Sequence, residues 1–437
     1  MKCKYYIYIL LCTLFAFSSC SCKKMPQPLD PAKRKVFIYY GAAYNNLASN
    51  IKSDIDDICR NVPAYTGDDR FKVLIFCHST AGDYDYSKPN SPVLMDVYRN
   101  EAGAVIRDTV KIFSPSTVSV NVNTIKTVLS YIKDTYPAGE YGLVFSSHAT
   151  GWLPSMYTAD YEDDTWELSF DSTRKKVQRN SPVNAGTSDR GRQLRMYPYA
   201  LTRSVGSQFA NVPSRGSVSQ FEMDIKDFAA AIPMHLSYLL FDACLMGGVE
   251  VAYELRNVTD RIAFSPMEIM ADGFIYERIL NHLFASSGPD VQAVCEDVFE
   301  YYKTKSPWPY CTISFIDCTQ LETLAGTCRN IFAKYRTELA NVNPNKVQRY
   351  WQYGWHWFYD LEDILVNAGI STDDHNLLLQ ALGDCVVYED ATPKGVLNSF
   401  DIVTHCGLSM FLPCHSSKGL PEYYKGLQWN RATSLVE

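Results

Sequence analysis

The chain has 437 residues, too many for one ordinary core and enough for two packed units. Hydrophobic residues make up 46% and charged residues 20%, a globular composition that argues against disorder. The formal net charge of −7 gives no reason to expect a nucleic-acid partner, which favours a basic surface.

The N-terminus reads as an export signal. Lys2 and Lys4 precede an almost wholly apolar run, Tyr5 to Phe17, and small residues follow. The run is shorter than the roughly 20 residues a membrane-spanning helix needs. Phe17-Ser18-Ser19-Cys20 has the arrangement at which bacterial lipoproteins are cut and lipidated. Residues 1–19 are therefore expected to be a signal peptide and Cys20 the lipid carrier. Cys22 competes with a poorer run before it, and a plain signal peptide is the alternative. Residues 20–32, rich in Pro and Lys, read as a lipidated tether. The expected location is an exported bacterial lipoprotein anchored in a membrane, periplasmic or at the cell surface.

Of the 14 cysteines, Cys3, Cys12 and Cys20 are accounted for by this segment, leaving 14 − 3 = 11, an odd number without a CxxC. Most read as buried apolar residues, with at least one free thiol.

Val36-Phe-Ile-Tyr-Tyr40, ending at Gly41, reads as a buried strand, and Asn45 to Cys59 has helical spacing. Val73 to Cys77 is a second strand. Val93 to Tyr98 and Val105 to Phe113 suggest a hairpin around Asn100–Gly103. Asn123 to Ile132 is helical, with Asn121 or Asn123 as cap. Tyr141 to Ser147 is a third core strand. Asp224 to Ala231 is a short helix, Tyr238 to Phe241 a fourth core strand, Leu245 to Arg256 a helix, and Arg261 to Ser265 a fifth strand. Continuous apolar strands alternating with helices indicate an α/β fold, a mostly parallel central sheet flanked by helices.

Residues 171–220 carry nine Lys/Arg, from Arg174-Lys-Lys176 and Arg179 on to Arg215, against two Asp. This stretch is expected to be an exposed basic insertion. Past a soft boundary near Ser306-Pro307 the pattern restarts. Thr312 to Ile316 is a strand, Leu321 to Leu339 a helix, Trp355 to Val366 contains a helix, and Leu408 to Leu412 is a last strand. The domain reading is 33–305 for the main unit and 306–437 for a C-terminal α/β extension.

Active sites of open parallel sheets lie at the carboxyl ends of the strands. The third core strand runs out to His148 and the fourth to Cys244. A cysteine nucleophile needs its thiolate, which a nearby His or a helix N-terminus favours. Cys244 is expected to have both, and His148 is suited to act as base or acid. The backbone N–H groups of Ala149 and Cys244 are candidate oxyanion donors. A His or a Cys alone at such a place is more commonly structural; the pairing singles these two out. His405 and His415, near Cys406 and Cys414, are the rival pool.

The chain resembles the clostripain-like cysteine peptidases, relatives of caspases, legumains, gingipains and separase. The resemblance rests on Gly41-Ala-Ala-Tyr-Asn-Asn-Leu47, His148-Ala-Thr-Gly151-Trp152, Phe241-Asp-Ala-Cys-Leu-Met-Gly247, Ser265-Pro-Met-Glu268 with Asp272-Gly-Phe274, Ile313-Ser-Phe-Ile-Asp317 and Gly407-Leu-Ser-Met-Phe-Leu-Pro413. It implies a caspase-like three-layer sandwich, a His148/Cys244 dyad working through a thioester, and polypeptide substrates. It also implies cleavage after Arg or Lys, with Asp242, Asp272 and Met270 lining the S1 pocket, and self-cleavage between His148 and Cys244. Two positions depart from the family pattern. Ala149 stands where the family has Gly, and Ser147 where it often has Asp. Alanine keeps the N–H and is strained only if φ there is positive.

This chemistry requires no cofactor. Some relatives need calcium, and Asp160, Glu162, Asp163 and Asp164 either bind it or form an exposed acidic loop. The alternative function is a catalytically inactive caspase-fold lipoprotein that binds a peptide or partner. A Ser hydrolase ranks last, because no G-x-S-x-G elbow stands at a strand end.

Overall fold

A computed structural model of the chain describes residues 29–65, 69–80, 90–155, 158–159, 168–169, 204–209, 220–352, 357–413 and 420–437. The signal segment, Cys20, the acidic cluster from Asp160 to Asp164, His356, Cys414, His415 and most of the basic insertion lie outside the described residues.

A nine-stranded sheet organises the molecule. Its strands in chain order are β1 (Lys35–Ala43), β2 (Phe71–Ser79), β3 (Val93–Arg99), β4 (Val105–Ile112), β5 (Glu140–Ser146), β6 (Tyr238–Asp242), β7 (Arg261–Phe264), β8 (Thr312–Asp317) and β9 (Val386–Ala391). The spatial order is β9-β8-β7-β6-β5-β1-β2-β3-β4. The inner strands β7, β6, β5, β1 and β2 are parallel, and the outer pairs are antiparallel. Of the four described strands that follow residue 306, β8 and β9 extend this sheet, while Tyr359–Asp360 and Ser409–Met410 pair with each other.

The alternation of side chains along each strand builds two cores. In β1, Val36, Ile38, Tyr40 and Ala42 face one side, while Phe37, Tyr39 and Ala43 face the other. The first side is covered by α2 (Val122–Thr135), after α1 (Ala48–Arg60) has covered the second. The first side also takes α3 (Ile225–Ala231), α4 (Val249–Leu255), α7 (Leu321–Lys334) and α8 (Thr372–Cys385); the second takes α5 (Tyr276–Leu283) and α6 (Val291–Thr304). Each buried strand side chain of Val, Ile, Leu or Phe contributes about 1.5–3 kcal/mol. The register has a steric pin. Gly142 of β5 lies opposite Tyr238 of β6, and a Cβ there would sit 1.8 Å from the Tyr238 ring.

Three expectations need correction. The helix expected from Leu245 begins only at Val249, after Gly248, because the preceding residues pair with the chain beyond β7. The insertion expected to be exposed contains a buried segment. Ser204 to Gln208 is buried, and Val205–Phe209 pairs with Gln220–Met223. Its polar groups find partners inside: Gln208 Oε1 accepts from Ser119 N at 2.6 Å, and Asn45 Nδ2 donates to Ser207 O at 2.7 Å. The helix expected from Leu321 to Leu339 breaks at Tyr335.

The C-terminal segment is tied to α4 through a buried carboxyl. Glu250 Oε1 accepts from Phe411 N at 2.8 Å and from the Tyr424 hydroxyl at 2.7 Å. Burial pushes its pKa up to about 7 from 4.5. A folded-state pKa above the unfolded one stabilises the fold fully below about pH 4.5, and that contribution is lost as pH rises towards 7. Glu250→Gln keeps the acceptor and removes the titration. Its Tm should therefore fall less than that of the wild type between pH 4.5 and 7. Equal slopes in calorimetric melts across that range would contradict this.

Candidate active site

Strand register brings the two candidate residues to one edge. Ser146 of β5 is paired with Asp242 of β6, and each chain continues two residues, to His148 and to Cys244. Ser147 N donates to Asp242 O at 3.4 Å, which prolongs the ladder by one step. β1, on the other side of β5, ends at Ala43 on the same edge.

The Cys244 turn is bent sharply. Leu245 has φ +60°, a left-handed conformation that a bulky residue seldom adopts. It is held there by Leu245 N donating to Met267 O at 3.0 Å and Gly247 N to Ser265 O at 2.8 Å. The Leu245 side chain is buried in the core, which offsets the backbone cost of roughly 1 kcal/mol. The half-buried thiol of Cys244 lies 3.6 Å from Ile269 O. Because α4 starts five residues beyond Cys244, at Val249, a helix N-terminus does not flank the thiol.

The His148 turn is clamped from both sides. Ser147 Oγ donates to Ala42 O at 2.9 Å and accepts from Ser207 N at 3.2 Å. Thr150 N donates to Ser204 O at 2.9 Å, flanking a bridge between Ala149 and Val205. That bridge draws its hydrogen bonds from the flanking residues, so it does not spend the Ala149 N–H. Among the described non-glycine residues, positive φ occurs at Leu245, Leu397, Asn398 and Ser434 only. Ala149 is thus accommodated without strain. The left-handed position falls instead at Gly151, with φ +60°. His148 Nε2 lies 2.6 Å from Asn46 Oδ1.

The carboxylates divide into a buried one and an open one. Asp242 is buried; its Oδ2 accepts from the Tyr276 hydroxyl at 2.7 Å and from Ser146 Oγ at 3.4 Å. The Phe274 N–H also donates to it, and a Cβ on Gly273 would lie 2.6 Å from the same oxygen. Burial raises the Asp242 pKa above the usual carboxylate range. Asp242 therefore fastens the 272–276 turn to β6. Asp272 is exposed and lines a cavity of about 350 Å³ with Asp54, Asp57, Glu277, Asp297 and Glu300. Arg278 and Lys305 are the basic residues at its wall, and Arg278 is paired with Asp297 at 3.1 Å. Asp54 is held well above its usual pKa by burial first and by the Asp242 charge second. Met270 is half-buried, lies against both cores, and accepts Gly273 N through its carbonyl at 3.0 Å. Glu268, next to Ile269, takes the Gln352 amide on both oxygens, at 3.0 and 3.1 Å, and burial pushes its pKa up to about 7.

The side chain of the rival histidine, His405, is largely buried, with Nδ1 2.7 Å from the Tyr350 hydroxyl, and burial lowers its pKa to about 4. Its neighbour Cys406 is buried too. None of the nine described cysteines is in a disulfide. Among the described residues, no group of three His, Cys, Asp or Glu is arranged to hold a metal. Sequence reading missed Asn46, the Ser147–Ser207 clamp and Asp54. A signal for Asn46 existed: it follows the strand next to β5, on the same edge.

The sequence profile of the clostripain family matches residues 216–434. Among solved structures, the chain is similar to an inactive zymogen C11 protease from Parabacteroides distasonis, with 24% identity, 93% of this chain and 99% of that chain covered, and a TM-score of 0.68. It is also similar to a secreted C11 cysteine protease from Bacteroides thetaiotaomicron, with 22% identity, coverage of 93% and 100%, and a TM-score of 0.68. A form of such a protease from the same organism, in complex with an irreversible peptide inhibitor, matches at 21% identity, with coverage of 92% and 99% and a TM-score of 0.68. No curated protein matches the chain.

The His and Cys turns touch at Gly151, where a Cβ would lie 2.4 Å from Leu245 O. Gly151→Ala should cost more than about 1 kcal/mol, through both the positive φ and this clash. A melt should show the lowered Tm; an unchanged Tm would mean that the two turns are not in mutual contact.

Proposed function

Taking as premise that the chain belongs to the clostripain family of cysteine peptidases, we propose that it is an endopeptidase with Cys244 as nucleophile and His148 as its acid–base partner. The observation that carries this reading is the equal offset of the two residues beyond the Ser146–Asp242 pair at one sheet edge. The thiolate adds to the scissile carbonyl carbon, and the oxyanion is met by the Ala149 and Cys244 N–H groups. His148 then protonates the departing amine, leaving a thioester that water hydrolyses. An unstrained Ala149 supports this reading over that of an inactive binding module.

The preferred residue before the cut is Arg or Lys. The excess of carboxylates around Asp272 supports this, since a cationic side chain is best met by charge-assisted hydrogen bonds. In this reading Asp272 meets the substrate cation, Asp242 braces its turn from behind, and Met270 forms a wall. The same preference makes the Arg- and Lys-rich residues flanking Val205–Phe209 targets for self-cleavage, with that strand holding the two products together. The zymogen and the peptide-inhibited structure among the similar proteins are consistent with such a life cycle. Export and lipidation at Cys20 complete the proposal.

The tests use the chain from Lys23 onward and fluorogenic peptides with Arg, Lys, Asp or Leu before the reporter. Turnover should be confined to Arg or Lys and vanish in Cys244→Ala and His148→Ala. Asp272→Asn should lower kcat/KM on the basic peptide about 10- to 100-fold, the worth of a charged hydrogen bond. Turnover that survives Cys244→Ala, or a Leu preference, would refute the assignment. Band splitting on gels should be lost in Cys244→Ala; a chain that stays intact while active would refute self-cleavage. Incorporation of labelled fatty acid in cells should disappear in Cys20→Ala, and its persistence would refute that anchor.

A further inference from the structure

We infer that Asn46 is a positioning residue for His148, fixing which ring nitrogen carries the proton and where the imidazole points. The inference rests on the reading of His148 as the acid–base residue and adds a third member to that pair. Its basis is the 2.6 Å contact between Asn46 Oδ1 and His148 Nε2. An amide oxygen only accepts, so in the neutral ring Nε2 must carry the hydrogen. The lone pair that takes or returns a proton is then on Nδ1.

The turn that carries Asn46 is held by its neighbour. Asn45, fully buried, donates from Nδ2 to Ala42 O at 3.0 Å and to Ser207 O at 2.7 Å. Its Oδ1 accepts from Leu47 N at 2.9 Å, which closes an Asx turn. The turn sits between the end of β1 and the start of α1 at Ala48, and it presents the next side chain, Asn46. The two asparagines divide the work: Asn45 builds the turn and Asn46 reaches the imidazole. Strand order supplies the rest. Because β5 lies between β6 and β1, the residues beyond three consecutive strands are Cys244, His148 and Asn46. A base oriented by a third group is the general logic of an activated nucleophile. Here that group is uncharged, so it orients the ring without stabilising the imidazolium as a carboxylate does.

Two measurements on the full chain from Lys23 test this. The first is kcat, KM and the pH profile of kcat/KM for Asn46→Ala and Asn46→Asp. Asn46→Ala should lose roughly 10- to 100-fold in kcat, part of what a positioned base supplies, with KM little changed. Asn46→Asp restores an acceptor and favours the imidazolium, so it should recover activity and move the alkaline limb of the profile to higher pH. The second is the ring 15N spectrum of His148 in the Cys244→Ala chain, assigned by its loss on His148→Ala. It should show the Nε2–H tautomer, replaced by a mixture once Asn46→Ala is added. An Nδ1–H tautomer in the parent would overturn the inference. So would an Asn46→Ala enzyme with unchanged kcat and pH profile. A wild type without turnover would instead defeat the peptidase reading, and the nitrogen spectrum would still decide the role of Asn46.

Discussion

Parallel pairing of β5 with β1 on one side and β6 on the other is the constraint on which the site depends. Tyr40 opposes Phe145, and Phe145 opposes Phe241, so three strands run to one edge in step. Since side chains alternate with period two, a slip of one residue would turn every core residue of β5 to the wrong face. It would carry His148 with it. Apolar burial on both faces therefore fixes the register, and the register fixes the relation of His148 to Cys244. The aromatic contact between Phe145 and Phe241, with ring centroids 6.2 Å apart, and the Gly142–Tyr238 fit work in the same direction.

Beyond the strands, the two turns are shaped by polar groups that have left water. Ser147 joins β1 to the strand Val205–Phe209, and Asn45 joins the same two elements from the other side. Each of these buried hydrogen bonds adds only about 1 kcal/mol net, but leaving one partner unmatched costs about 1–3 kcal/mol. The network therefore specifies one arrangement more than it stabilises it. On the Cys side, Ser409 N donates to Gly247 O at 2.9 Å, and Trp152 stands against Phe411 and Tyr424. The C-terminal segment thus braces both turns.

Most of the scaffold was legible in the sequence because burial on both faces leaves a plain signal. The continuous apolar runs of β1, β2, β5 and β6 announce themselves, and each ends close to where its pattern stops. Periodicity misled where local polarity was decided by distant partners. Leu245 to Met246 looks like the start of a helix, yet hydrogen bonds to Met267 and Ser265 draw the chain away until Gly248. Val205-Gly-Ser-Gln-Phe209 looks like loop, and only its partners at Ser119, Asn45 and Ser147 make it a strand. The place of His148 and Cys244 at one sheet edge could be reasoned from strand ends. For Asn46 the place beyond β1 was legible but the contact was not, because Asn45 and Asn46 read equally well as the opening of a helix. Asp242 and Asp272 look equivalent in sequence, whereas Tyr276 and Gly273 enclose the first and leave the second open.

The proposed peptidase chemistry requires Cys244 to be a thiol activated by its neighbour across the strand pair, without help from a helix end. The most direct test is the pH dependence of alkylation by iodoacetamide, with the modified residue mapped by mass spectrometry. One fast site, Cys244, should react well below the pH of about 8.5 at which a free thiol ionises, and should revert to that range in His148→Ala. A fast site elsewhere among the cysteines, or a Cys244 profile indifferent to His148, would contradict it.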